Sequence, residues 1–526
     1  MNILVFGLEY YPIIGGGGSY VDYLVKGLAN EGKDKIRLVT SGSKNSKKNI
    51  YPNLEVLRFK IFNDLYYQRG DIIDGINCLI EQIREFKPGI IHAQHSLPML
   101  MAQAANIVFS IPLVGTHHKT PDHKETINPI DGKRSLFKYV SFSPISQFIS
   151  SSAVFRSSLI RVGINPQSID LIYPGVDRNK FSRQSEKKID NLKKKLGIKN
   201  QDLVFLSPVK IRKRKGLEFL ANALNGFQIP NKQIKVIITG LPQTADEEEA
   251  ILKFKNKCNP AILVNHWEFS DEEMPILYSL SDITLLLSEA EGLGMVLLEA
   301  MSCGCPVIGS NVIGINEVIQ NKKNGELVDY GNLKELRKSI TRCLDPKISE
   351  KYKNSGEISL TDKFNTKVQA QEHLEVYQKL ATRKKTSAGG ILYRRNKKSL
   401  EVYLAVHDKY GFILPKGGRK PGETLIETAI REVAEETGYK VSNPEYALPA
   451  INYSLLENNE TFDKEVYFFV FKISKQIKKG SLKLDPGEKI KRKARWVEIK
   501  EAKKLLAHKT EIEIIEKLKQ VENFLP

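Results

Sequence analysis

A chain of 526 residues is too long for one core, so about two to four domains are expected. With 41% hydrophobic and 27% charged residues it is ordinary globular protein, able to bury sizeable cores. Its net charge of +19 favours anionic partners (nucleotides, acidic lipid surfaces or nucleic acid), unless it reflects a lysine-rich proteome. The cysteines are Cys78, Cys258, Cys303, Cys305 and Cys343, an odd set without regular spacing, which argues against a disulfide framework. Cys303-Gly304-Cys305 is too tight for the usual metal-ligand spacing. The opening MNILVFGLEYYP lacks a basic segment and a long apolar run, so no signal peptide is expected. No stretch reaches about 18 uninterrupted apolar residues, the length that spans a bilayer. A reduced cytosol is the simplest location.

In chain order, apolar runs at 3–6 and 36–40 flank a Pro/Gly loop and an amphipathic stretch at 20–30, which predicts a βαβ start. Strand-like runs recur at 90–92 and 113–115, and a break falls at Tyr173-Pro174-Gly175-Val176-Asp177. A second series begins at 203–206 and continues through 236–240, 262–264, 283–287 and 306–308. Two such consecutive α/β units predict two Rossmann-like domains facing a cleft, over 1–175 and 176–381. A helical stretch at 364–380 is expected to close the second unit. Residues 382–387 are polar and uncommitted and read as a linker. From 388 to 526, strands at 390–393, 402–406 and 466–473 mix with two helical stretches, an α+β pattern. No fixed-period repeat or low-complexity segment is present.

Residues 288–308 read SEAEGLGMVLLEAMSCGCPVI. Here Gly292-Leu293-Gly294 makes a turn into a helix between Glu291 and Glu299. A helix N-terminus offers free N–H groups and a positive dipole end to a diphosphate, and glycine lets the backbone come close. Glu291, before the turn, is placed for sugar hydroxyls; Glu299, two turns in, for a ribose diol. Singly, these carboxylates, the glycine run at 15–18 and the strand-end histidines His92, His95, His117 and His118 read as ordinary turns and satisfied polar groups. Their order over nearly four hundred residues says more. It resembles the retaining GT-B glycosyltransferases of the large family that includes sucrose synthases and phosphatidylinositol mannosyltransferases. Supporting blocks are Ile313-Gly314-Ile315-Asn316-Glu317-Val318, Asn324-Gly325-Glu326-Leu327-Val328, the glycine loop through Gly16, Thr116-His117-His118, and the break at Pro174.

That resemblance implies transfer of a sugar from a nucleoside diphosphate donor with retained configuration. Glu299 would hold the ribose, Glu291 the sugar hydroxyls, and His118 would approach the donor sugar. Lys210, Lys215 and the backbones at Gly16 and Gly294 would face the diphosphate and stabilise the charge developing on it. The family usually has arginine where Lys210 stands, so the planar bidentate fork is missing unless Arg212 replaces it. No metal is expected at this site.

Residues 417–439 read GGRKPGETLIETAIREVAEETGY. Glu432, Glu435 and Glu436 stand at i, i+3 and i+4 and share one helix face. Carboxylates so crowded repel unless cations sit between them, and hard oxygen ligands suit Mg²⁺ or Mn²⁺. An acidic solvated face would show the same run, but Gly417, Glu423, Arg431, Val433 and Gly438 also fall at fixed intervals, with Glu423 and Arg431 placed to tie loop to helix. The stretch resembles the Nudix box, with Tyr439 where an aliphatic residue is commoner. The resemblance implies an α+β Nudix domain over 388–526. It would hydrolyse a nucleoside diphosphate linked to another group, with metal ions at Glu432, Glu435 and Glu436. Glu432 or a later carboxylate such as Glu488 would be the base. The lead-in Leu414-Pro415-Lys416-Gly417-Gly418-Arg419 is similar to that of diadenosine and diphosphoinositol polyphosphate hydrolases. Lys416 and Arg419 would then meet a phosphate-rich substrate, with Tyr453 or Tyr467 stacking a base.

The leading expectation is a bifunctional enzyme, glycosyltransferase and Nudix pyrophosphohydrolase. The alternative is that one domain, the transferase rather than the hydrolase, is a silent nucleotide-binding regulatory module. Nucleic acid is not expected as a partner, since no aromatic-basic interleaving or known motif is present. Peripheral contact with an acidic membrane face follows only if the acceptor is a lipid.

Overall fold

The computed structural model describes the chain apart from residues 11–15, 119–144, 241, 243, 258–262, 267–268, 397–398, 408–410, 458–459, 474, 477–494, 523–524 and 526. The first domain is built on β1 (Asn2–Phe6), β2 (Lys35–Ser41), β3 (Ser46–Tyr51), β4 (Leu54–Phe59), β5 (Ile90–Gln94), β6 (Leu113–Thr116), β7 (Gln147–Ser150) and β8 (Ile169–Leu171). Their order is β3-β4-β2-β1-β5-β6-β7-β8, parallel except for the β3–β4 hairpin. The inner strands β1, β5 and β6 are buried but for Asn2 at the start of β1, as parallel strands covered on both faces must be. Helices of this domain that matter below are α1 (Gly16–Asn30), α2 (Ile72–Phe86), α3 (Ser96–Asn106) and α4 (Ala153–Arg161).

Helix α1 begins four residues before the predicted stretch, so Gly16, Gly17 and Gly18 form its first turn rather than a loop. The reason is space: a Cβ on Gly17 would stand 2.6 Å from His95 Nε2 and 2.9 Å from Glu9 Oε2.

The second domain carries β9 (Leu203–Ser207), β10 (Ile234–Ile238), β11 (Leu263–His266), β12 (Ile283–Leu286), β13 (Val307–Ser310) and β14 (Glu326–Val328). All pair in parallel, in the order β11-β10-β9-β12-β13-β14. Helices α5 (Met274–Leu280) and α6 (Met295–Ser302) lie at the cleft end of this sheet. The chain crosses between the domains twice at one place. Val176 N donates to Phe364 O at 3.1 Å, Gly175 N donates to Gln369 Oε1 at 2.9 Å, and a Cβ on Gly175 would overlap the backbone of Thr366.

Helix α7 (Thr366–Arg383) departs from expectation. It does not close the second domain but returns to the first, where Ala370, Leu374 and Tyr377 pack with Tyr20, Val21 and Leu24 of α1. The stripe at i, i+4 and i+7 is what a helix buries against one neighbour. Close approach is possible because α1 has Gly27 at the crossing, where a Cβ would meet Thr366 O at 2.9 Å.

Residues 382–387 are not a linker. Helix α7 runs to Arg383 and β15 (Lys384–Asn396) starts at the next residue. The third domain continues with β16 (Ser399–His407), β17 (Gly411–Ile413), β18 (Lys416–Gly418), β19 (Tyr439–Lys440), β20 (Tyr446–Glu457), β21 (Glu460–Lys472), β22 (Lys475–Gln476) and β23 (Arg495–Glu498). The mixed sheet runs β17-β16-β15-β21-β20, with β18 on β15 and β23 on β16; only β15–β21 is parallel, and β19 pairs β22 apart from it. Period-two alternation splits β15 between two cores. Ile391 and Tyr393 join α9 (Lys509–Gln520), whereas Ala388 and Leu392 join α8 (Leu425–Thr437). Helices therefore cover both faces.

This domain is docked on the first one. Leu425 N, in the first turn of α8, donates to Val108 O at 2.6 Å, and Ser110 Oγ donates to Glu465 Oε2 at 2.9 Å. Arg84 of α2 pairs with Glu427 at 3.2 Å, and Lys87 lies along Gly422. Among the described residues no helix is long and apolar enough to cross a membrane, and Cys78, Cys303, Cys305 and Cys343 are free thiols.

Candidate active sites

A cleft of about 1540 Å³ opens between the first two domains. It is lined by Gly16 and His118 on one side and by Lys210, Lys215, Glu291, Gly294 and Glu299 on the other, so every residue singled out for the first site reaches it. Gly294 is the N-cap of α6 with φ +91°, a conformation only glycine adopts without strain. The first N–H groups of α6 therefore open toward the cleft. A neighbouring turn is equally tight: Gly216, at φ +72°, packs so closely on Leu287 O that a Cβ would overlap it. This brings Lys215 to Glu291, Nζ to Oε2, at 2.5 Å; Ser288 Oγ donates to the same oxygen at 3.1 Å. The two residues expected to face diphosphate and sugar thus hold each other in this state. Lys210 is exposed at the end of β9, and Arg212 and Arg214 line the cleft beside it.

Glu299 is only 7% exposed. One carboxylate oxygen accepts from Tyr278 Oη of α5 at 2.9 Å and the other from Tyr23 Oη of α1 at 3.0 Å. Burial pushes its pKa up to about 7, against the pull of the two hydroxyls. Tyr23 comes from the opposite domain, so this carboxylate is also a tie across the cleft. Sequence reading missed both tyrosines, because nothing local marks a tyrosine whose partner lies 276 residues away.

His118 follows β6, and its Nε2 lies 2.8 Å from Gln94 Oε1. The rings of Tyr20 and His95 are 4.6 and 4.7 Å away, centroid to centroid. Burial, reinforced by His95, His117 and His92, holds His118 well below the ordinary imidazole range, so it is neutral at physiological pH. His95 has φ +70° and faces Glu9 at 3.5 Å. A non-glycine residue in that conformation costs about 1–3 kcal/mol, a strain that collects at functional sites.

In the third domain, Thr424 caps α8 through a reciprocal bond with Glu427. Glu432, Glu435 and Glu436 follow on that helix. Arg431 clamps the box: Nε and Nη2 donate to Glu423 at 2.7 and 3.0 Å, Nη2 to Gly418 O at 2.9 Å, and Nη1 to Glu432 and Glu435 at 2.5 and 3.1 Å. The expected tie between Glu423 and Arg431 is present. Glu436 Oε2 accepts from Lys416 N at 3.2 Å. Burial pushes Glu432 up to about 7, with Glu435 and Glu436 adding and Arg431 opposing. Gly417 sits on this group so closely that a Cβ would overlap the Glu432 carboxyl.

Two expectations change here. Among the described residues no three ligating side chains converge on one point, because Arg431 already balances Glu432 and Glu435 and Glu436 turns to the β18 backbone. The donor set still fits a hard divalent cation: three carboxylates lie on one helix face, beneath a glycine whose side chain would otherwise collide with Glu432. Lys416 is not a free phosphate ligand either; its ammonium pairs with Glu511 of α9, which is 1% exposed and also accepts from Leu414 N at 3.0 Å. Glu511 was invisible in sequence, one acidic residue on an ordinary amphipathic helix. Arg419 Nη1 lies 3.5 Å from Glu423 O. Tyr467 points its hydroxyl at Ser110 and Glu465 in the domain interface, and Tyr453 packs on the α9 core. Glu488 lies outside the described residues.

Comparison with known proteins agrees with this division. Residues 14–180 match the model described as Glycosyltransferase Family 4, 188–359 that of Glycosyl transferases group 1, and 383–518 that of the NUDIX domain. The chain is 27% identical over 372 residues to N-acetyl-alpha-D-glucosaminyl L-malate synthase of Bacillus anthracis, covering 67% of this chain and 90% of that protein. It is 22% identical over 308 residues to alpha-maltose-1-phosphate synthase of Mycobacterium tuberculosis, covering 55% and 79%. In structure it is similar to sucrose-phosphate synthase from Thermosynechococcus elongatus, with TM-score 0.61 at 19% identity over 72% of this chain and 99% of that one. It is also similar to Anabaena Alr3699/HepE in complex with UDP and glucose, with TM-score 0.54 at 18% identity over 72% and 99%. Two segments of the chain thus match glycosyltransferase family models on a fold of the GT-B kind, and a third, joined to them without a tether, matches the NUDIX domain.

Proposed function

We propose that the cleft transfers a sugar from a nucleoside diphosphate donor with retained configuration, and that the third domain hydrolyses a nucleoside diphosphate-linked substrate, a dinucleoside polyphosphate in preference. One observation carries the first half: Gly16 and His118 face Lys210, Lys215, Glu291, Gly294 and Glu299 across a single cleft. The α6 N-terminus and the two lysines meet the diphosphate, and the charge that develops on the leaving group is largest there. When the diphosphate takes Lys215, Glu291 is released toward the sugar hydroxyls. Glu299 receives the ribose, and neutral His118 offers a hydrogen bond to the sugar without adding charge. UDP and glucose in the related Anabaena structure support a donor of this class.

In the third domain Glu432, Glu435 and Glu436 would hold Mg²⁺ or Mn²⁺, which would neutralise phosphate oxygens and activate water. Arg431 keeps these carboxylates together and charge-balanced before substrate arrives, and Glu432, held near neutrality, is suited to take a proton. Arg419 lies on the same lead-in, and Lys416 joins it once the substrate competes with Glu511.

The test is product analysis by mass spectrometry on the full chain and a Glu435→Gln/Glu436→Gln variant, with Mg²⁺, nucleotide sugars and dinucleoside polyphosphates. Cleavage of polyphosphates, lost in the variant, supports the reading. Cleavage of a nucleotide sugar to the nucleoside monophosphate ties both domains to one metabolite instead. No cleavage of any substrate makes the third domain a sensor.

A further inference from the structure

Two buried chains of polar groups run from helix α7 to His118. Along the first, His118 Nε2 lies 2.8 Å from Gln94 Oε1, Gln94 Nε2 lies 3.0 Å from His92 Nε2, and His92 Nδ1 lies 2.5 Å from Tyr377 Oη. Thr116 Oγ1 lies 2.7 Å from the same His92 Nε2. Along the second, His373 Nδ1 donates to Gln369 O at 2.7 Å, which fixes His373 Nε2 as an acceptor for Tyr20 Oη at 2.9 Å. The Tyr20 ring in turn packs on the edge of His118. Gln94, His92, Thr116, His373 and Tyr377 are fully buried.

Resting on the reading of His118 as a donor-site residue, we propose that Gln94, His92 and Tyr377 are positioning residues that set which ring nitrogen of His118 carries the proton. The logic is one of donors and acceptors. A neutral imidazole has one N–H, and an amide has one donor end and one acceptor end. If His118 Nε2–H donates to Gln94, then Gln94 donates to His92 Nε2, and His92 Nδ1–H must donate to Tyr377. If Tyr377 donates to His92 Nδ1, His92 Nε2–H needs an acceptor, so the Gln94 amide turns end for end, its NH2 donates to His118 Nε2, and His118 carries its proton on Nδ1. No mixed arrangement satisfies all the groups, and burial makes an unsatisfied one costly. Burial, with His373 alongside, also depresses the basicity of His92, so both imidazoles stay neutral and their tautomers are defined. The far end of the chain stands on α7, which continues directly into β15 of the hydrolase domain. A hydroxyl on the helix shared by both enzymes thereby decides how His118 presents itself to a donor sugar.

The experiment is nitrogen-15 and carbon-13 histidine spectroscopy on the full chain, with His118 assigned by substitution. The wild type is expected to show one dominant His118 tautomer. Tyr377→Phe removes the hydroxyl that accepts from His92 Nδ1–H and so favours the reversed chain; the His118 tautomer ratio is expected to move at least about 3-fold. Gln94→Leu cuts the chain and is expected to leave His118 in a mixture. An unchanged His118 tautomer in both variants overturns the proposal. Binding of UDP-glucose, used as the probe, is expected to lose several-fold in both variants with domain melting intact, whereas loss of packing alone would leave the tautomer signal where it was. The underlying reading is tested separately by His118→Ala: if that variant binds UDP-glucose and transfers from it as the wild type does, His118 is not a donor-site residue, whatever its tautomer.

Discussion

In both sites burial raises a carboxylate toward neutrality, and opposite kinds of partner resist the rise. Glu299 in the cleft is held by two neutral hydroxyls, one from each domain. Glu432 in the hydrolase domain is held by a guanidinium from the adjacent residue of its own helix. The first arrangement depends on how two domains meet; the second is assembled within one helix and its preceding loop. The hydroxyls share one carboxylate between two domains, whereas the guanidinium bridges two carboxylates that would otherwise repel.

The comparison breaks most readily in the acidic face. Glu435→Gln/Glu436→Gln is expected to lower hydrolysis by about 10³-fold, since charge stabilisation at the phosphate is the dominant catalytic term. Sugar transfer by the same variant should be unaltered; a parallel loss would mean that the two sites are not independent. Gly417→Ala places a methyl on the Glu432 carboxyl, and hydrolysis is expected to fall about 10²-fold with a stability loss of about 1–3 kcal/mol, read by steady-state kinetics and denaturant melts.

In the cleft, Lys215→Met removes the cation paired with Glu291, and UDP-glucose affinity measured by calorimetry should drop about 10-fold to 100-fold. Glu299→Gln sharpens the contrast through pH. Below about pH 4.5 folded and unfolded chains both carry the proton; between there and about 7 the unfolded chain ionises first, so stability falls as pH rises and the loss is complete above 7. Glu299 should therefore contribute up to about 3 kcal/mol of the stability lost across that window, a part missing from the glutamine variant, read as the difference between the two proteins' unfolding free energies at pH 5 and pH 8. Smallest is Tyr23→Phe, which removes the cross-domain competitor for Glu299. UDP-glucose affinity should rise by a few-fold, about 1 kcal/mol; a fall would show that Tyr23 is part of the donor site and not its placeholder.

Much of this was legible in sequence because it is local. The Nudix box places Glu423, Arg431 and the carboxylates by helical spacing and one tight loop, so the tie between Glu423 and Arg431 follows from intervals, though the bonds of Arg431 to Glu432 and Glu435 do not. Gly294 marks the start of α6 by the same kind of rule, since a positive φ before a helix needs glycine. Strands β1, β2, β5 and β6 of the first sheet and β9 to β13 of the second were readable as apolar runs, whereas β3, β4, β7, β8 and β14 were not. What misled was burial without local cause. The run Thr382 to Ser387 is polar and looks like a tether, but Lys384 to Ser387 pair with β21. Helix α7 has an apolar stripe that says it packs, not where.

By itself, then, the sequence determined the fold classes and which loops and helices line the cleft and carry the carboxylate cluster, because periodicity, glycine geometry and fixed carboxylate spacing act within a few residues. Only the tertiary structure decided that Tyr23 and Tyr278 share Glu299, that Lys416 answers to Glu511, that α7 belongs to the first domain, and that the hydrolase is docked through Val108 and Ser110. Each of these joins residues far apart in the chain, and such a contact is chosen by the free energy of the whole packed molecule, which no single segment contains.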